Sequence, residues 1–118
     1  MTYRILGGAE DDIDTILLDS AERWGLEAAD RYGRLTGAVC AAVGAAPERL
    51  GSRAVARIPG VRVYALRLGR ALVTKEQQVG RPRHLVVYRI GEDGVVEIMG
   101  LIHDRMLLDH AVRDRLRG

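Results

Sequence analysis

Residues 83–106 read RHLVVYRIGEDGVVEIMGLIHDRM. Two apolar runs flank Gly91-Glu92-Asp93-Gly94, the composition of a hairpin turn. Strands are expected over His84–Ile90 and Val95–Ile102. With Gly91 opposite Gly94, Ile90 pairs with Val95, and paired residues share a face. One face then holds Leu85, Val87, Val96, Ile98 and Ile102 with Arg83 and Arg89. It is mostly aliphatic and is expected to rest on helices. The other holds His84, Val86, Tyr88 and Ile90 across from Leu101, Met99, Glu97 and Val95, and His103 extends it. In this register His84 and His103 are diagonal neighbours, about 7–8 Å apart. One residue more or fewer in the turn exchanges the faces of one strand. The aliphatic face suffices for a core, so the mixed face, with Arg81, Arg83 and Arg105 nearby, is the expected binding surface.

Working outward, Tyr3 to Leu6 has strand composition. From Ala9 the period changes: Ala9, Ile13, Ile16, Leu17, Ala21 and Trp24 form one helical stripe, and Gly25 ends it. A second helix is expected from about Leu26 to Val43, burying Ala28, Tyr32, Leu35, Val39 and Val43. Gly33, Gly37 and Ala41 give it a small-residue edge suited to a close helix partner. Pro47 bars continuation. Residues 48–60 read as loop, Val61 to Leu68 as strand, and 69–82 as a long connection of the kind that is often functional. Leu107 to Leu116 reads as a short terminal helix, with arginines near its C-terminal end. The order implies a single α+β domain over residues 1–118, an N-terminal helical hairpin packed on a small antiparallel sheet, closed by a short C-terminal helix.

The chain has 118 residues, 47% hydrophobic, with no Phe and 4% aromatics. Its core is therefore expected to be aliphatic, with Trp24 and four Tyr as the large pieces. A single cysteine, Cys40, fits a reducing compartment and a small buried hydrophobe. The N-terminal stretch lacks the apolar centre of a signal peptide, and no apolar run approaches the ~20 residues of a membrane span. A cytoplasmic protein with no membrane association is the expectation. The net charge of +2 conceals an asymmetry. Residues 1–48 hold four Arg and nine acids, net −5; residues 49–90 hold nine Arg, one Lys and one acid, net +9; the remainder is net −2. Arginine suits bidentate contact with carboxylate or phosphate, so the middle third is a candidate surface for an anionic partner.

Several chemistries are excluded early. The Cys and His residues do not form a zinc set, no phosphate-binding Gly loop follows a strand, and Ser20 and Ser52 have no His in a matching setting. No metal or cofactor is expected.

The pattern YRILGGAEDDIDTILLDSAERWG resembles the opening of toxins of the RelE/ParE superfamily from bacterial type II toxin–antitoxin pairs. There a short strand precedes an "AE-D-I" pattern and a helix ending in a Trp-Gly-like step. RHLVVYRIGEDGVVEIMGLIHDRM is similar to the family's closing signature: a strand ending Tyr-Arg, a turn, a "V-E-I" strand, then hydrophobic-His-x-Arg-Met. IPGVRVYALRLGR resembles the strand before it. The ParE side is the closer match, although residues 69–82 are longer than the tight turn expected between those strands.

The resemblance implies a toxin held inactive, as a hetero-oligomer, by a cognate ParD-like antitoxin. It acts on DNA gyrase if ParE-like, or cuts mRNA on the ribosome if RelE-like. The residues expected to bind antitoxin or target are Arg67, Arg81, Arg83, His84, Tyr88, His103 and Arg105. Metal-free RNA cleavage needs a base, a cation and an acid, and Arg83, Tyr88, His103 and Arg105 are the set available for it. The closing HDRMLLDHAVRDRLRG carries neither Tyr nor Lys, which favours gyrase binding over the nuclease. An inactive toxin-like interaction domain is the third alternative.

Overall fold

The computed structural model describes residues 3–106 and 108–117. The chain runs β1 (Tyr3–Ile5), α1 (Gly7–Trp24), α2 (Leu26–Ala45), β2 (Arg53–Ala54), β3 (Val61–Ala65), β4 (His84–Ile90), β5 (Val96–His103) and α3 (Leu108–Arg117). The sheet order is β1-β5-β4-β3-β2, antiparallel except for β1, which lies parallel to β5. The fold is the expected α+β arrangement. Leu107, the expected first residue of the last helix, lies outside the described residues.

The helical hairpin turns at Gly25, whose φ of 95° is open to glycine at little cost. Its N–H caps α1 by donating to Ala21 O at 2.9 Å. Gly33 brings the helices close: a Cβ there would sit 3.5 Å from Leu17 Cδ1. Gly37 and Ala41, expected on the same contact edge, face solvent instead. Ile13 and Ile16 pack on the core as their spacing predicts, whereas Trp24 is 75% exposed. Periodicity marks a helix face but not where the supporting layer ends, and Trp24 lies in the last turn, at the tip of the hairpin. Cys40 is buried in α2, and burial pushes its thiol pKa up to about 12, so it packs as a hydrophobe.

The hairpin register differs from the expectation for a local reason. Gly94 takes φ 82° and the Gly91 N–H donates to Val95 O at 2.8 Å, so Val95 belongs to the turn. Ile90 therefore pairs with Val96, and Tyr88 with Ile98. A bulge between Val87 and Tyr88 pairs Val87 with Gly100, leaves Met99 unpaired with β4, and shifts the register again. His84 then stands directly opposite His103 rather than diagonal to it. Glu97, expected across from Tyr88, shares a face with Arg89 and accepts from its Nε at 2.7 Å.

The assignment of faces to layers holds in part. The helical hairpin covers Val96 and Ile98 as expected, but with Val86, Tyr88 and Leu101 of the mixed face in place of Leu85, Val87 and Ile102, together with Tyr64 and Leu66. The face with Leu85, Val87 and Ile102 is covered by Val55, Ile58 and the α3 residues Ala111 and Val112. Both sheet faces are thus roofed by the chain itself, and the mixed face is not left open for a partner. The physical reason is the register: with Val95 in the turn, Tyr88 pairs with Ile98, so Val86 and Tyr88 share a face with Val96 and Ile98.

Two expected loops are also more ordered than their composition suggests. Residues 48–60 contain β2, which pairs with β3. The strand expected to reach Leu68 stops at Ala65, and 3₁₀ helices over Leu66–Leu72 and Lys75–Gln77 occupy the long connection. Leu66 and Gly69 are buried there, with Gly69 against Leu35 and Val39 of α2.

Candidate functional site: an arginine-lined cleft beside the turn of the helical hairpin

At the turn end of α1 and α2, beside the paired ends of β4 and β5, lies a cleft of about 930 Å³. Trp24, Ile16 and Val79 give it apolar walls, and Arg23, Arg31, Arg81 and Arg83 line it as cations. His84 and His103 also line it, their ring centroids 5.3 Å apart and nearly perpendicular.

Tyr32 ties this end of the sheet to α2. The Arg83 backbone N–H donates to Tyr32 Oη at 3.2 Å, and the same oxygen lies 2.6 Å from His84 Nδ1, a hydrogen bond whose donor is set by the tautomer of the ring. Burial, and then His103, push the His84 pKa down to about 4, against the pull of Asp104, Asp12 and Asp19. Burial likewise raises the Tyr32 pKa, against the hydrogen bonds from Arg83 and His84. His103 Nδ1 accepts the Arg105 N–H at 3.1 Å. Asp104 Oδ1 lies 3.2 Å from the same nitrogen and pairs with it as an ion only when the ring is protonated. The Asp104 N–H closes the strand pair by donating to Arg83 O at 2.8 Å.

A second concavity, about 600 Å³, adjoins the first through Arg81 and Arg83 and adds Arg67 and Arg70. Of the nine arginines in residues 49–90, only Arg83 and Arg89 meet a carboxylate within 4.0 Å among the described residues. In the acidic helices Arg23 pairs with Asp19 at 3.0 Å and Arg34 with Asp30 at 2.8 Å, so these two carboxylates do not reach the middle third.

The sequence-selected residues separate into two groups. Arg81, Arg83, His84 and His103 line the cleft, Arg67 joins Arg81 and Arg83 in the second concavity, and Arg105 is exposed in the turn beyond His103. Tyr88 departs from the expected surface position. It is fully buried beneath α2, its hydroxyl donating to Pro47 O beside Ser52 Oγ, and it ties the 47–52 segment to the sheet. The nuclease set of Arg83, Tyr88, His103 and Arg105 is consequently not assembled on one surface. Sequence reasoning missed Tyr32, whose helical spacing marked it as core, and Arg70. The sequence held no signal for Arg70, because its alignment with Arg67 depends on the 3₁₀ helix that replaces the expected strand end and connection. Among the described residues no group of three His, Cys, Asp or Glu side chains is placed to hold a metal ion, and no helix is long and apolar enough to cross a membrane.

A helical hairpin on a small sheet, with a cationic cleft beside its turn, defines a small α+β protein. The chain belongs to the ParE toxin family: the family model of the ParE toxin of the type II toxin–antitoxin system, parDE, matches residues 3–108. It is thus a toxin of a type II toxin–antitoxin system, and its family implies an antitoxin partner. A search of curated proteins found no match.

Proposed function

We propose that this toxin acts in the cytoplasm by binding and disabling DNA gyrase, and that a ParD-like antitoxin neutralises it in a hetero-oligomer. The observation that carries the reading is the contrast between the two chemistries of the cleft. Among the described residues its Arg31 and Arg81 have no carboxylate within 4.0 Å, while the set considered for RNA cleavage is broken up, with Tyr88 in the core. A base, a cation and an acid must reach one phosphodiester together for cleavage, whereas recognition needs only exposed charge and apolar anchors. Arg67, Arg81, Arg83, His84, His103 and Arg105 are the proposed contact residues.

The antitoxin is proposed to lay an acidic segment along the cleft. Trp24, Leu18 and Leu26 are all exposed near the helical turn and supply the apolar anchors, and the arginines supply the charge. Two purified assays test the proposal together. DNA supercoiling by gyrase should be inhibited by the chain, and inhibition should weaken in Arg105→Ala, outside the cleft, while antitoxin binding is kept. Ribosome-dependent mRNA cuts that vanish in His103→Ala would replace this reading with the nuclease.

A further inference from the structure

We propose that the concavity formed by Arg67, Arg70, Arg81 and Arg83 binds the phosphodiester backbone of duplex DNA directly. This goes beyond the gyrase reading and does not require gyrase to be present.

Three observations converge on it. The backbone concentrates the charge: Arg67 and Arg70 lie three apart on a 3₁₀ helix, so their side chains eclipse. Arg81 and Arg83 flank the buried Pro82, and all four arginines line one hollow. The charge is also unspent. Among the described residues Arg67, Arg70 and Arg81 have no carboxylate within 4.0 Å, and Arg83 reaches Asp104 only at 3.8 Å. Arg70 has a single long bond to Gln78 Oε1, at 3.4 Å.

The third observation selects the partner. Leu68 and Pro82 are the main apolar side chains of this hollow, and Pro82 is buried. The neighbouring cleft, by contrast, has Trp24, Ile16 and Val79. A protein partner needs apolar anchors as well as charge. A phosphate backbone needs charge alone, and guanidinium matches it bidentately. The four arginines of this hollow would steer a polyanion to it.

The test is fluorescence anisotropy of a labelled DNA duplex of arbitrary sequence, titrated with the purified full chain over a salt series. The comparison is with a triple variant, Arg67→Gln, Arg70→Gln and Arg81→Gln, and with Arg81→Gln alone, for which Arg113→Gln on the exposed side of α3 is the charge-matched control. Thermal melts monitor folding, and Arg81→Gln alone serves if the triple variant does not fold. The expected result is binding independent of sequence. The triple variant should lose at least about tenfold in affinity, with a log K against log salt slope shallower by about 2 to 3. The single variant should flatten it by about 1, and Arg113→Gln should leave it unchanged. Absence of binding at low salt, or an unchanged slope in the variants, would overturn the proposal. So would capture of poly-glutamate in place of DNA, which would assign the hollow to an acidic protein segment. Supercoiling inhibition measured on the same variants separates this failure from failure of the gyrase reading, because the duplex assay contains no gyrase.

Discussion

Gly69→Ala is expected to destabilise the protein although alanine is the better residue in most helical settings. An added Cβ would lie under 3.0 Å from Val39 Cγ2, and 3.4 Å from Leu72 Cδ1. Carbon atoms in contact normally stand roughly 3.5–4.0 Å apart. Val39 is fully buried and β-branched, so inside α2 it has essentially one χ1 rotamer and cannot swing aside. Either α2 or the Leu66–Leu72 segment must move. Overpacking of this kind costs roughly 1–3 kcal/mol. Reduced freedom of the unfolded chain returns about 0.4–1 kcal/mol. The net loss should be roughly 1–2 kcal/mol, or on the order of 5 °C in Tm for a chain of this size. Urea unfolding should show a lower midpoint with an unchanged m-value. A double-mutant cycle identifies the cause. Val39→Ala alone should cost roughly 2–3 kcal/mol, but adding Gly69→Ala to it should cost at least about 1 kcal/mol less than in the wild type, because the new methyl enters the vacated space. A neutral or stabilising Gly69→Ala, or strictly additive changes, would refute this account of the contact between α2 and the 3₁₀ segment.

Acid should weaken the fold through His84. Its folded pKa is depressed to about 4 from an ordinary 6.5, so between those values the unfolded chain takes up a proton that the folded chain does not. Stability at neutral pH is unaffected and should fall as pH drops through that window; His84→Gln should remove this part of the slope in pH-dependent melts. Asp12 accepts the Leu101 N–H at 2.9 Å and holds Arg115 through Nε at 2.8 Å and Nη2 at 3.1 Å. Asp12→Ala should cost roughly 2–4 kcal/mol and speed hydrogen exchange at Leu101, with Asp12→Asn intermediate. Trp24 is exposed, so its fluorescence should be red-shifted and readily quenched by iodide. An antitoxin peptide seated in the cleft should shift it to the blue and protect it.

The element order, the α+β class and the α1–α2 reversal at Gly25 were legible because hydrophobic period, a left-handed glycine and a helix-barring proline are local signals. The charge of the middle third was legible for a similar reason, since acids three or four residues from an arginine on a helix claim it first. The sheet faces were not. They depend on Val95 joining the turn and on the unpaired Met99, two single-residue shifts that alternation does not record. That error moved Tyr88 from an expected binding surface into the core. The Tyr32–His84 bond was equally illegible, since it joins residues 52 positions apart that only the assembled layers bring together.

The account rests on recognition rather than turnover, and the titration of gyrase with the purified toxin tests that most directly. Supercoiling should fall in proportion to added toxin and require amounts comparable to the enzyme, with Arg83→Ala displacing the curve. Toxin present far below stoichiometry that destroys ribosome-bound mRNA, while supercoiling proceeds unchanged, would contradict it.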